Sequence, residues 1–356
     1  MILEEDLDAA VAEGIIDRVQ AVRIAHLARL RQTAQPASQE VVPVDPDDER
    51  FRLIGGFNDV FVGIGICLLA GALISLSRVL GFSGAFALTA MTAAWGLSEI
   101  FARRMRLALP SILLAVMFAV STGLLASMFG GPQRYTLGGF RAESSYSTFA
   151  FAGFALAAAL HYWRFRVPID PAQAAIGAIG AIVAGMLLVA PDLMRGVVNI
   201  VLVVGGLTVF AVALKLDMDD PNRRTRHSDA AFWLHLLAAG LIVHPIFRTI
   251  AFAGWLGAAE AAVILCLFAI LGVVALVIDR RALLVSGLSY AGVALSYLIS
   301  LGVADGLGLP LALLGLAVLI LALSIGWRSL RGAILPGLPL GSLRDRLPPV
   351  GVPHSS

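Results

Sequence analysis

Between Phe57 and Trp327 the chain runs through apolar stretches of about 20 residues, parted by short segments that hold most of that region's charge. A run of that length is what a helix needs to cross ~30 Å of hydrocarbon. In lipid the backbone polar groups have to be satisfied within the segment, so such runs fold as helices. Ten are legible: Phe57–Ser77, Phe82–Ala102, Leu107–Phe129, Thr148–Tyr162, Ile169–Ala190, Met194–Leu214, Ala230–Phe247, Trp255–Ile278, Ala282–Leu301 and Gly308–Trp327. Only 14% of the residues are charged and 59% are hydrophobic. A soluble domain carries about 25% charge, so this chain has too little polar surface to cover a soluble globule. Disorder, collagen and a small disulfide scaffold are excluded on the same figures. The expected fold class is all-α: a polytopic transmembrane helix bundle over residues 53–327, in contact with a lipid bilayer.

The basic residues test the number of spans, because cytoplasmic loops are enriched in Lys and Arg. With the N-terminus placed in the cytoplasm, the inner segments hold 21 of the 26 basic residues. Arg103, Arg104 and Arg106, Arg164 and Arg166, and Arg280 and Arg281 are among them. The outer segments hold five: Arg78, Arg134, Arg141, Arg195 and Arg248. A wrong count would scramble this alternation, so about ten spans with N- and C-termini cytoplasmic are expected. Ten spans admit a five-plus-five inverted repeat, an arrangement common in transporters. The halves Phe57–Ala190 and Met194–Trp327 share no clear sequence match.

Before the first span, Met1–Asp8 is acidic and no apolar region appears, which does not read as a cleavable signal peptide. Leu3, Leu7 and Val11, then Ile15, Ile16, Val19, Val22, Leu27 and Leu30, recur at helical spacing. Gly14 ends a first helix, and Asp17 with Gln20 has the spacing of a capping box for a second. Residues 1–31 are thus a cytoplasmic helical hairpin, a candidate surface for a protein partner. Eleven acids against six arginines in residues 1–52 argue against a nucleic-acid partner. Residues 32–52 form a Pro-containing acidic linker, and 328–356 a basic cytoplasmic tail.

Ionisable groups at membrane depth are costly and therefore candidates for function. Glu99 and Arg103 stand four apart on one helix and form a structural ion pair. Asp59 reads as a helix N-cap, and His161 with Tyr162 and Trp163 as an interfacial belt. His235 and His244 are nine residues apart on span seven, on opposite faces and about 14 Å apart along the axis. Two constellations follow. His244 with Glu260, near Arg248, is a candidate polar transport site facing an outer cavity. His235 with His161 is an inner-side candidate for a haem or metal. Against both stands the plainer reading, that each histidine bonds a neighbour across a helix interface. Cys67 and Cys266 sit in apolar runs and read as small core residues.

There is no P-loop, His-Glu-x-x-His, Gly-x-Ser-x-Gly, CxxC or CxxCH. No enzyme activity, metal or cofactor is expected. The leading function is transporter-like binding or translocation of a small-molecule substrate. The alternatives are a scaffold or sensor working through the hairpin, and a haem-binding electron carrier.

The opening Leu7-x-x-x-Val11-x-x-Gly14-Ile15-Ile16-Asp17-x-x-Gln20-Ala21 resembles the start of bacterial families of multispanning membrane proteins that have no established activity. Phe232-Trp233-Leu234-His235-Leu236 and Leu343-Arg344-Asp345-Arg346-Leu347-Pro348-Pro349 are similar to recurring features of such proteins. The resemblance implies a helical hairpin ahead of many spans and a bacterial inner (plasma) membrane location. It implies no activity.

Overall fold

The computed structural model describes residues 10–15, 17–24, 56–130, 140–190, 196–220, 225–251, 257–304 and 306–339, with the backbone alone at 140–144, 248 and 251. The chain divides into two compact units, Met1–Asp48 and Glu49–Ser356. In the first, residues 10–12 and 18–24 are helical. Gly14 turns the chain at φ 70°, a conformation glycine enters at little cost. The capping box forms: Gln20 N–H donates to Asp17 Oδ1 at 2.7 Å, and Asp17 N–H to Gln20 Oε1 at 3.0 Å. The linker 32–52, and residues 1–9 and 25–31 of the expected hairpin, lie outside the described residues.

In the second unit the described elements are helical, and ten helices follow the ten apolar stretches. They are α1 Phe57–Leu80, α2 Ser83–Arg104, α3 Ala108–Ser127, α4 Phe140–Phe165, α5 Asp170–Val189, α6 Val198–Asp219, α7 Arg226–Ala251, α8 Ala258–Ile278, α9 Ala282–Ser300 and α10 Gly308–Ile334. Among the described residues, nine of these are long and apolar enough to cross a membrane. The exception is α4. Its apolar centre, Phe149–Leu160, is flanked by Ser145–Thr148 on one side and His161–Arg164 on the other.

Packing makes α4 a central helix all the same, with α3 on one side and α5 on the other. Small residues permit it. A Cβ on Gly153 would stand 2.3 Å from Ala126 Cβ, and one on Gly177 2.8 Å from the Ala155 backbone nitrogen. In lipid, where no hydrophobic effect drives helices together, such close backbone approach is a main source of association. The hairpin of α6 and α7 is the matching dense contact in the second half.

Two expectations change. The last helix runs to Ile334, and Arg331 is fully buried, its Nε donating to Leu276 O at 3.2 Å. The segment read as a basic tail from 328 therefore begins inside α10, because two of its charges lie on that helix. Cys67 and Cys266 are exposed, not core. Cys266 joins Phe61, Leu68, Leu313, Leu321 and Ile325 on the outer apolar surface, which is the surface a bilayer would solvate.

Candidate functional site

Buried polar groups gather where α1, α3 and α5 begin and where α2 and α4 end. Asp59, in the first turn of α1, is buried and accepts the N–H of Ala108 at the start of α3 at 3.3 Å. Gly56 is the N-cap of α1, so Asp59 stands in the first turn and not at the cap. Glu99 bonds Arg103 at 3.2 Å, as its spacing predicts, and also Arg164 from the end of α4 at 2.6 Å. Beyond these helix ends, Arg106 and Arg166 take positive φ, turning the chain into α3 and toward α5.

Beneath this edge lies the first buried network. His161 is fully buried, enclosed by the rings of Trp95, Phe118 and Phe165, with centroid separations of 6.5, 5.7 and 4.6 Å. Its Nδ1 stands 2.8 Å from Asp170 Oδ2, across the short turn from α4 to α5. Its Nε2 stands 3.2 Å from Ser98 Oγ on α2. Ser98 also donates to Ala94 O at 2.7 Å. With its proton so placed, Ser98 accepts from Nε2–H, and the His161–Asp170 bond then holds a second proton. Turning the hydroxyl to Nε2 lets that nitrogen accept, and the pair holds one proton fewer. Asp170 Oδ1 and the whole amide of Gln173, three residues on, are buried without a partner. The connectivity Ser98–His161–Asp170 is that of a hydrolase triad. Here the hydroxyl is fully buried and bonded to its own helix, so it is not placed as a nucleophile.

The second network lies where α6 and α8 end and α7 begins. Asp217 accepts His235 Nε2–H at 2.8 Å and Arg280 Nε–H at 3.0 Å, and its other oxygen accepts Arg280 Nη2. Arg280 also donates to Ser228 Oγ at 3.1 Å. His235 Nδ1 is buried without a partner. Because Nε2–H is donated to Asp217, Nδ1 carries the lone pair and is the place for a further proton. Behind Arg280, Trp327 Nε1–H donates to Asp279 Oδ1 at 2.7 Å, and Arg281 lies 5.0 Å over the Trp327 ring. Consecutive helices joined by short connections run antiparallel, so α6 returns to the end that α5 leaves. Both networks therefore occupy the same end of the bundle.

The structure does not join the residues paired from sequence. His161 and His235 do not share a site, because Asp170 holds one and Asp217 the other. His161 has both ring nitrogens engaged, so a shared haem between the two histidines loses its basis. Among the described residues no group of three His, Cys, Asp or Glu side chains could hold a metal ion. His244 does not meet Glu260 either. His244 Nδ1 is bonded with the Tyr290 hydroxyl on α9. Glu260 reaches back to the start of α8, accepting Gly257 N–H at 3.1 Å, the one half of a capping box that a glycine N-cap allows. The Arg248 side chain lies outside the described residues.

Sequence reasoning missed Ser98, Asp170, Asp217 and Arg280. A signal was present: a histidine at the end of one apolar run and an aspartate at the start of the next, separated by a tight turn. The sequence matches no protein-family profile, no curated protein and no solved structure.

Proposed function

We propose that this is a ten-span protein of a bacterial inner membrane, with both termini cytoplasmic, that moves a small molecule in a proton-linked cycle. The observation that carries the reading is the pair of buried histidine–carboxylate networks, one in each half of the bundle. Each has a nitrogen or oxygen at which one proton can be gained or lost without dismantling the helices. Ionisable groups kept at such depth mark proton relays and solute pathways. The arginine distribution supports ten spans, with α4 crossing among α3 and α5.

The test uses purified protein in liposomes that enclose a pH-sensitive dye. Amino acids, organic acids, amines and long-chain fatty acids are added outside in turn. One class should change the internal pH faster than in protein-free vesicles, and His161→Gln and His235→Gln should each abolish that difference. Unchanged rates in both variants, or no difference for any class, would refute the reading.

A second reading has its own support. Val19 and Val22 stand exposed on the helical segment 18–24, with Ile15 exposed in the turn before it, an apolar surface suited to a protein partner. A photo-crosslinker at Val22 should give one adduct of discrete mass in cells, lost in Val19→Asp.

A further inference from the structure

We infer that an apolar cavity between α1, α2 and α3 is the binding site of a long-chain amphipath, a molecule with one hydrocarbon chain and a small hydrogen-bonding head. This rests on the carrier reading above and names its substrate class. The cavity has a volume of about 680 Å³, within the usual range for small-ligand sites. Its deep end is formed by Ile66, Leu113 and Met117. Along α1 it extends from Ile66 to Ser77, about 16 Å of helix. That is close to half of the ~30 Å hydrocarbon layer, the depth of one leaflet.

Most of its polarity lies at one end. The hydroxyls of Ser77, Ser83, Ser127 and Tyr146 are at the opposite end from Ile66, where α1 and α3 finish and α2 begins. Ser121, nearer the middle, donates to Met117 O, and Ser77 and Ser127 donate to Ile74 O and Leu124 O of their own helices. Ser83 and Tyr146 have no hydrogen-bond partner among the described residues. No Asp, Glu, Lys or Arg lines the cavity. Arg78 follows Ser77 in the sequence and is not among the lining residues. Uncharged walls of this length take an alkyl chain, and the hydroxyls of Ser83 and Tyr146 can donate to a carboxyl head. A phosphate head would demand positive charge that the lining lacks. A long-chain fatty acid entering from the outer leaflet meets each of these requirements.

The cavity also shares its walls with the first buried network. Ala90 of α2 lines it, and Ser98 lies eight residues further along the same helix, about 12 Å away. Met117 of α3 lines it, and the next residue, Phe118, packs on His161. A chain seated there bears on the two helices that hold Ser98 and cover His161, which is how occupancy reaches the proton site.

Cys67 lines the cavity and is exposed, so it reports occupancy. In the full chain carrying Cys266→Ser, reconstituted in nanodiscs, Cys67 is labelled with a membrane-soluble maleimide. Palmitate should slow the labelling saturably, by fivefold or more. Ala90→Trp and Ala70→Trp, which fill the cavity, should each remove that protection. Protein carrying Cys67→Ser, labelled at Cys266, should show none. The inference is overturned if palmitate does not protect, if it protects Cys266 equally, or if protection survives both tryptophans. Slow labelling that ignores palmitate but speeds up in lipid-free detergent would assign the cavity to bilayer phospholipid and overturn it too. Protection with no pH change in liposomes for any solute class leaves this site standing and refutes the carrier reading. Proton-linked movement of another solute without protection does the reverse.

Discussion

Asp217 is the carboxylate on which the second network depends, because it faces a guanidinium fork and an imidazole at once. Asp217→Asn takes from Arg280 the carboxylate that accepts its Nε–H and Nη2, and losing one partner of a buried pair costs about 3–5 kcal/mol. The thermal unfolding midpoint in detergent should fall accordingly. Asp217→Leu combined with Arg280→Met removes both charges and should recover most of the loss. A double variant no more stable than Asp217→Asn would show that the broken charge pair is not the cause. Trp327→Phe keeps a ring beneath Arg281 but deletes the indole donor to Asp279, and should cost about 1–3 kcal/mol by the same measurement. In the sequence Asp217 and Arg280 fall in the charged segments between apolar runs, so neither stands out from its charged neighbours. Nor does the sequence show their partners. His161 looked like one more group in an interfacial belt, because its bond to Asp170 crosses a turn that hydropathy reads only as a gap between spans.

At the scale of the element, ten helices follow the ten apolar runs, and among the described residues all but α4 have the length and composition that leave no other backbone form in lipid. Boundaries shifted where polar residues continue a helix past its apolar part, as at Arg328–Ile334 and at Phe140–Ser147. Partner choice was the part that could not be read. The periodicity of one helix says nothing about which neighbour meets it, so His244 was matched with Glu260 when Tyr290 of α9 holds it. Glu260 itself carried a readable cue, its position three residues after Gly257 at a helix start. Close approach of α4 and α5 at Gly177 gives a test of packing. Gly177→Val places a Cβ against the Ala155 backbone and should cost about 1–3 kcal/mol. Gly185→Ala, whose nearest contact is Thr148 Cγ2 at 3.9 Å, should cost far less. Equal losses in chemical unfolding of the two variants would count against the small-residue seam.

For the whole molecule, the crossing of α4 decides the topology. In a chain with Cys67→Ser and Cys266→Ser, single cysteines at Thr136 and Asp192 should react with an impermeant maleimide applied from outside. A cysteine at Asn222 should react only after permeabilisation. If α4 failed to cross, Asp192 and Asn222 would exchange sides. Taken with the arginine-rich end inside, the placement of the buried charges has a consequence for how such a chain is made. On the orientation proposed above, Asp59, Asp170, Asp217, Asp279, Arg280 and Arg331 all belong to helix ends on the side where synthesis takes place. During insertion none of them has to traverse the hydrocarbon. Each hairpin then carries across only the few charges of its outer turn, such as Arg78 or Arg195, and the buried networks can be assembled afterwards at the end from which the hairpins entered. The two networks would then be among the last parts of the bundle to form, closing the helices together from the side on which they entered.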